Sequence, residues 1–247
     1  MQQTDKSLKR KVNFLMYYAV ISTAVCMVFL LSSFAGKDKT LTADELTVKR
    51  ITVIGEDNQP RIVLSNETRQ HSGRMDGKDF KQRERPAGII FFTNRGDECG
   101  GIVAATTDKD GQVNHGMSFT MDNYRDDQVI QILNDETYEK GKAEIFRGLM
   151  VNEYPLGSNL YEKVAKSEEL AKIQDPKERE AKLAEFWAKA GAKRRLLIGR
   201  TVNSDAGLFL RDANGKPRMN IYVDKDGNPK IEVIDDKGQK KNVLLPQ

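Results

Sequence analysis

Three stretches of this chain repeat one local design, and that repetition restricts the fold more than any other feature. ITVIGEDNQPRIVLSN (51–66), LFLRDANGKPRMNIYV (208–223) and IYVDKDGNPKIEVIDD (221–236) share it. Each alternates apolar and polar residues, turns through Asp, Asn and Gly, passes a proline and a cation, and alternates again. Aligning Pro60, Pro217 and Pro229 brings Ile62, Met219 and Ile231 into register, and two positions later Leu64, Ile221 and Val233. A period of two places every second side chain on one face, as a half-buried strand requires. The Asn214-Gly215 and Asp226-Gly227 pairs offer the positive φ of tight hairpin turns, and a proline, which has no N–H, suits a strand start or edge.

Similar β material occurs at 88–106, at 108–121 around Asp110-Gly111, and at 128–133. Between the β blocks, residues 158–192 change character and become rich in Ala, Glu and Lys. Asp175-Pro176-Lys177-Glu178 has an N-cap, a proline at the first helical position and an acid three residues after the cap. Leu183, Phe186, Trp187 and Ala190 then follow at helical spacing, and Gly191 ends the element. A shorter helix is expected around Leu160 to Ile173, with the pair lying against the sheet. The fold class that results is mainly β: an N-terminal transmembrane helix, then an antiparallel β-meander of repeated hairpins with an inserted helical segment. Such a sheet has open edges, so self-association or recognition of a protein partner by strand addition is expected.

The transmembrane reading rests on Val12 to Gly36, 25 residues without a charge, preceded by Lys6, Lys9, Arg10 and Lys11. Roughly 20 apolar residues span a bilayer as a helix, and Tyr17 and Tyr18 near one end suit the interface. The organisation expected is a basic cytoplasmic tail at 1–11, a lipid-bilayer helix at 12–36 and an extracytoplasmic β domain at 37–247. Ser33-Phe34-Ala35 offers the small residues of a cleavage site, but a signal core is usually about 7 to 15 residues long, which favours an uncleaved anchor. The orientation follows from the four cations before the run, against Lys37 and Lys39 close behind it.

The first 36 residues carry four basic and one acidic side chain, leaving 36 Lys and Arg against 35 Asp and Glu in the body. That balance excludes a broad nucleic-acid surface, which needs clustered cations. The two cysteines, Cys26 in the apolar run and Cys99 in the body, supply no disulfide within the body.

The segments LTVKRITVIGEDNQPRIVLSN, RPAGIIFFTNRGDECGG and GLFLRDANGKPRMNIYVDKDGNPKIEV resemble those of a group of bacterial proteins with an N-terminal membrane segment and a β-rich body. The resemblance covers most of residues 45–236 outside the helical insert. It implies a bacterial host and brings no activity and no site residues with it.

Candidate chemistry is sparse. Asp108/Asp110, Asp212/Asn214 and Asp224/Asp226 share the opening of a calcium loop, yet the motif stops after two ligands and sits between strands, so turn chemistry explains them better. Asp97, Glu98 and Cys99 fall in one apparent hairpin loop, and with His71 or His115 they are the candidate nucleophile or metal site. A tight glycine turn joining two strands is the simpler account. The polar stretch 67–86 has no periodicity and reads as a solvated, mobile loop; Arg74, Lys78, Lys81, Arg83 and Arg85 make it a candidate interaction loop for an anionic group. Lys193-Arg194-Arg195 follows a helix C-terminus, where cations are favoured. No cofactor motif is present. The sequence therefore favours a non-catalytic interaction or structural module of the cell envelope over two alternatives, an envelope enzyme or ligand-binding protein near Asp97 and Cys99, and a cell-wall or glycan-binding protein.

Overall fold

A computed structural model describes residues 2–34 and 40–244. The chain divides into two compact units, Met1–Thr47 and Val48–Gln247. In the first unit α1 (Gln2–Phe34) is one continuous helix, and its segment Ser7–Leu30 is long and apolar enough to cross a membrane. The basic tail expected to precede the helix is part of it, because Gln, Lys, Leu and Arg are good helix formers with no Pro or Gly between them. Ala35 of the possible cleavage site, Gly36, Lys37 and Lys39 lie outside the described residues.

The second unit is built on β1 (Arg50–Ile54), β2 (Pro60–Ser65), a two-stranded ribbon of β3 (Arg74–Met75) and β4 (Lys78–Asp79), β5 (Ala87–Phe92), β6 (Glu98–Lys109), β7 (Gln112–Asp122), β8 (Gln128–Glu139) and β9 (Lys142–Glu153). Helices α2 (Leu160–Leu170) and α3 (Pro176–Ala190) follow, then β10 (Lys193–Arg200), β11 (Ala206–Arg211), β12 (Pro217–Val223), β13 (Pro229–Ile234) and β14 (Lys240–Asn242). All strands except β3 and β4 form one twelve-stranded sheet in chain order, every pairing antiparallel. The meander read from the sequence is the architecture of the protein.

The turns explain the repeated design. In Gly55–Gln59, Thr93–Asp97, Thr201–Asp205, Asp212–Lys216, Asp224–Asn228 and Asp235–Gln239, the first residue's N–H donates to the fifth carbonyl and the fourth residue's N–H donates to the first carbonyl. Only the fourth residue has positive φ, 78° at Gly215 and 86° at Gly227. The Asn214-Gly215 and Asp226-Gly227 pairs thus supply the positive φ through their glycine, in three-residue turns closed by that left-handed residue. Asp76-Gly77, Asp110-Gly111 and Lys140-Gly141 are two-residue turns in which both residues are left-handed. Asp212, Asp224 and Asp235 each accept two backbone N–H bonds from their own turn, which is the turn chemistry expected of Asp212 and Asp224.

Directly paired residues share a face, so the register separates the sheet into two sides. One side carries the row Val63, Ile90, Gly101, Thr120, Gln131, Met150, Leu197, Phe209, Asn220 and Glu232. It holds the core cluster of Val63, Ile90 and Phe92, with Val103 against it. The other side carries two uninterrupted apolar rows. The first runs Ile51, Leu64, Ile89, Ile102, Phe119, Ile132, Leu149, Ile198, Leu208, Ile221 and Ile231. The second runs Val53, Ile62, Phe91, Gly100, Met121, Ile130, Val151, Leu196, Leu210, Met219 and Val233. The residues that the prolines bring into register all fall on this second side. That side is nevertheless open: Ile132 is 50% exposed at its centre, and Ile51, Leu64, Ile221 and Val233 are exposed toward the edges.

Residues 67–86, expected to be a solvated loop, instead lie with Asn66 across the first side. Gln70, Ser72 and Met75 are buried there, the Gln70 amide donates to the carbonyls of Pro86 and Gly88, and the His71 ring meets Phe92 edge-on at 4.8 Å. Such a segment is anchored at isolated points, which leaves no periodic trace in the sequence. The helical insert starts and stops close to where its caps predicted, with Asp175 accepting from Glu178 N and Gly191 donating to Trp187 O. It packs on the sheet less than expected: α3 has no buried residue and Trp187 is 41% exposed. All three cations after α3 belong to β10; Lys193 does bond to the Ala188 carbonyl of the last turn of α3, while Arg194 and Arg195 do not reach it.

Candidate functional site

Two places in the β unit have the chemistry to act, the open apolar side and a charged cavity under residues 66–86. The cavity, about 610 Å³, lies between that segment, α2 and the neighbouring ends of β6, β7 and β8; its lining includes Met75, Phe80, Arg85, Glu98, Asp122 and Asp126. A shift of register between Phe91 and Phe92 sets Glu98 opposite Phe92, where both carboxylate oxygens take bonds from Arg85 at 2.7 and 2.9 Å. Arg85 also donates to the His71 carbonyl at 3.2 Å. Arg125 holds Asp76 at 2.5 Å, and the Gly77 N–H donates to Asp97 at 3.1 Å. Asn159 caps α2 and Tyr161 reaches the Lys78 carbonyl at 2.7 Å, with its ring stacked on Phe80 at 4.6 Å.

At the back of the cavity, Asp126 is fully buried and ion-paired with buried Lys163 of α2, whose ammonium lies 4.1 Å from the centre of the Tyr154 ring. Asp126 Oδ1 also accepts the Asp127 N–H, while its Oδ2 has no hydrogen-bond partner among the described residues. Asp122 is the perturbed acid: burial, with Glu98 and Asp127 nearby, pushes its carboxyl up to about 7 against the partial opposition of Arg85.

The candidates from the sequence are distributed around this cavity. Asp97 serves the 66–86 segment, Glu98 pairs with Arg85, and Cys99 sits half-buried beside them. Glu98 and Cys99 are in β6 itself, while Asp97 closes the hairpin turn. Burial, with Asp122 and Glu98, pushes the Cys99 thiol up, the opposite of what a nucleophile needs. His71 is held through Nδ1, which accepts the Gly73 N–H at 3.0 Å, and burial lowers its basicity. His115 is elsewhere: it pairs with Thr106, seven residues along β6 from Cys99, roughly 23 Å of extended strand, and bonds the Thr106 hydroxyl. Among the described residues no group of three or more His, Cys, Asp or Glu is placed to hold a metal ion.

The five cations of the proposed interaction loop also divide. Arg74 pairs with Asp79, Arg83 donates to the Ser72 carbonyl and lies over Phe80, and Arg85 is the partner of Glu98. Lys78 and Lys81 are exposed and have no side-chain partner among the described residues. Sequence reasoning missed Asp122, Asp126, Lys163 and Tyr154, whose partners lie far apart in the chain.

The matched charges of the cavity fasten the 66–86 segment and α2 to the sheet. The open side differs in kind: two rows without a charged side chain, bordered by a network in which Arg147 bonds Asn134 at 2.6 Å and Glu136 at 2.7 Å, and Tyr138 donates to Glu136 at 2.5 Å. Searches of protein-family models, curated proteins and solved structures return no match to this chain.

Proposed function

We propose that this chain is a membrane-anchored, non-catalytic interaction module of the bacterial envelope, whose working surface is the open side of its sheet. The observation behind this reading is the pair of apolar rows, which extend from β1 to β13 with no element of the β unit packed on them. Contiguous exposed apolar surface on this scale marks an interaction site. The cavity supports the same reading from the other direction, since the Cys99 thiol beside it is pushed up and the Arg85–Glu98 and Lys163–Asp126 pairs are tied within the chain. Helix α1 is the membrane anchor, and the cations Lys6, Lys9, Arg10 and Lys11 favour a cytoplasmic N-terminus and an extracytoplasmic body.

A photoreactive amino acid at Ile132 of the full-length protein in native membranes tests the surface. It is expected to capture a protein, whereas the same probe at Thr137 on the opposite side of β8 is not. Failure to capture any protein from Ile132 would sink the proposal. Digestion of a C-terminal tag in intact spheroplasts is the expected topology result, and protection until lysis would reverse the orientation.

A further inference from the structure

We infer that the open side of the sheet is closed by a second copy of this chain, the two sheets packing face to face about an intervening two-fold axis. The inference rests on the reading that this side is the working surface and names what it binds. A layer of secondary structure buries its apolar face against a second layer, and two sheets do so about 10 Å apart with strands nearly aligned. The β unit supplies only one sheet. Its buried apolar side chains among the described residues are Val63, Met75, Ile90, Phe92, Met150, Leu197 and Ile234, and none comes from the two apolar rows. The missing layer is therefore opposite those rows.

The area available matches what a stable pair of proteins needs. With strands about 4.8 Å apart and same-face residues about 6.8 Å apart, each row position covers roughly 33 Å². Two rows of eleven then give roughly 700 Å² on each copy, or about 1,400 Å² for the pair, within the range of specific interfaces.

The chemistry selects a copy of the same chain over a different partner. The two rows carry no charge, so they offer no electrostatic key to a partner of other composition. The polar network beside them is neutralised within the chain, since Glu136 is bonded to Arg147, Asn134 and Tyr138. Stacked on itself, the surface sets aliphatic rows against aliphatic rows and leaves the network at a solvated rim, the arrangement of an isologous interface with an apolar centre. A shared membrane would add to this by confining both copies to one plane.

The test uses the full-length chain in native membranes and then in lipid nanodiscs. A photoreactive residue at Ile132 should give an adduct of twice the chain mass containing peptides of this chain alone, and the nanodisc particle should hold two chains. The I132K/I198K variant should hold one chain per particle and keep the far-ultraviolet circular dichroism of the parent; if it does not fold, I132T/I198T takes its place, with the same loss of the two-chain particle expected. An adduct with a different protein would overturn pairing with a second copy while leaving the interaction module standing. Capture of lipid alone, or of nothing, would overturn both. A two-chain particle that survives I132K/I198K would place the contact in α1 or at a strand edge and overturn the face-to-face pairing.

Discussion

On one side of β2, Val63 is inaccessible; one residue away on either hand, Ile62 and Leu64 are 37% and 45% exposed. The three side chains are comparable in hydrophobicity, so the difference belongs to the two faces of the sheet. The roofed face is chemically mixed, with Ser65, Asn220, Glu232, Asp126 and Lys163 buried on or beside it among a few aliphatic residues. The bare face is the more apolar of the two. Within a single copy, burial runs opposite to hydrophobicity. What the contrast teaches is that the alternation in the sequence specifies two environments, and that one copy of the chain builds only the polar-tolerant one.

The largest expected effect lies on the roofed side. Replacing Asp126 with Ala leaves Lys163 buried without its carboxylate and should cost about 3–5 kcal/mol, read by denaturant unfolding. The D126L/K163M double variant should regain most of it. If D126A is harmless, the ion pair does not hold the roof. The contrast between faces is sharpened next by Ile90→Ala, expected to cost roughly 2–4 kcal/mol, against Ile198→Ala, expected to cost under about 1 kcal/mol at dilutions where copies separate. Equal costs would erase the distinction between the faces.

Asp122 gives an effect with a definite pH signature. Its carboxyl titrates at about 7 in the folded chain and near 3.8 when unfolded, so the folded state binds the extra proton between those values and stability falls as pH rises through them. Asp122→Asn should therefore stabilise the protein by up to about 4 kcal/mol at pH 8, less whatever the amide loses in hydrogen bonding, and leave it unchanged at pH 3. A constant gain across that range would assign the effect to packing. The smallest effect belongs to the turns. Lys230 and the backbone N–H of Asn228 hold the Asp224 carboxyl well below the usual carboxylate range. Its contribution is present above about pH 4 and lost in strong acid. Asp224→Ala should lower the melting temperature slightly at pH 7, and the gap should narrow as the pH approaches 2.

The parts of the fold that were legible in the sequence are those with local causes. The hairpins from β11 to β13 announce themselves because Asp212 and Asp224 each begin a turn that a glycine closes, and α3 is delimited by Asp175, Pro176 and Gly191. β9 and β10 were not legible, because Phe146 and Met150 on one face alternate with Ile145, Leu149 and Val151 on the other, which blurs the period of two. The 66–86 segment was invisible as structure for a related reason: Gln70 and Met75 are single anchors, and single anchors have no period. The candidate site was legible only in part. Glu98 does line the cavity, but the pairing of Asp126 with Lys163 spans 37 residues and depends on a helix crossing the sheet end, which no local pattern encodes. The proline register identified one shared face correctly, and only the structure reveals that this face is left uncovered.

Chain-order pairing also bears on how the molecule comes into being. Apart from the 66–86 excursion and the helical insert, every strand finds its partner across a turn of five residues or fewer. Closing such short loops takes little entropy, so hairpins can form and add to the growing edge one at a time. A chain threaded from its N-terminus through a narrow pore would thus be able to zip as it emerges, each new strand completing the one before it, with α2 left to reach back through Lys163 to Asp126 and through Tyr161 to the Lys78 carbonyl once the insert has begun to fold.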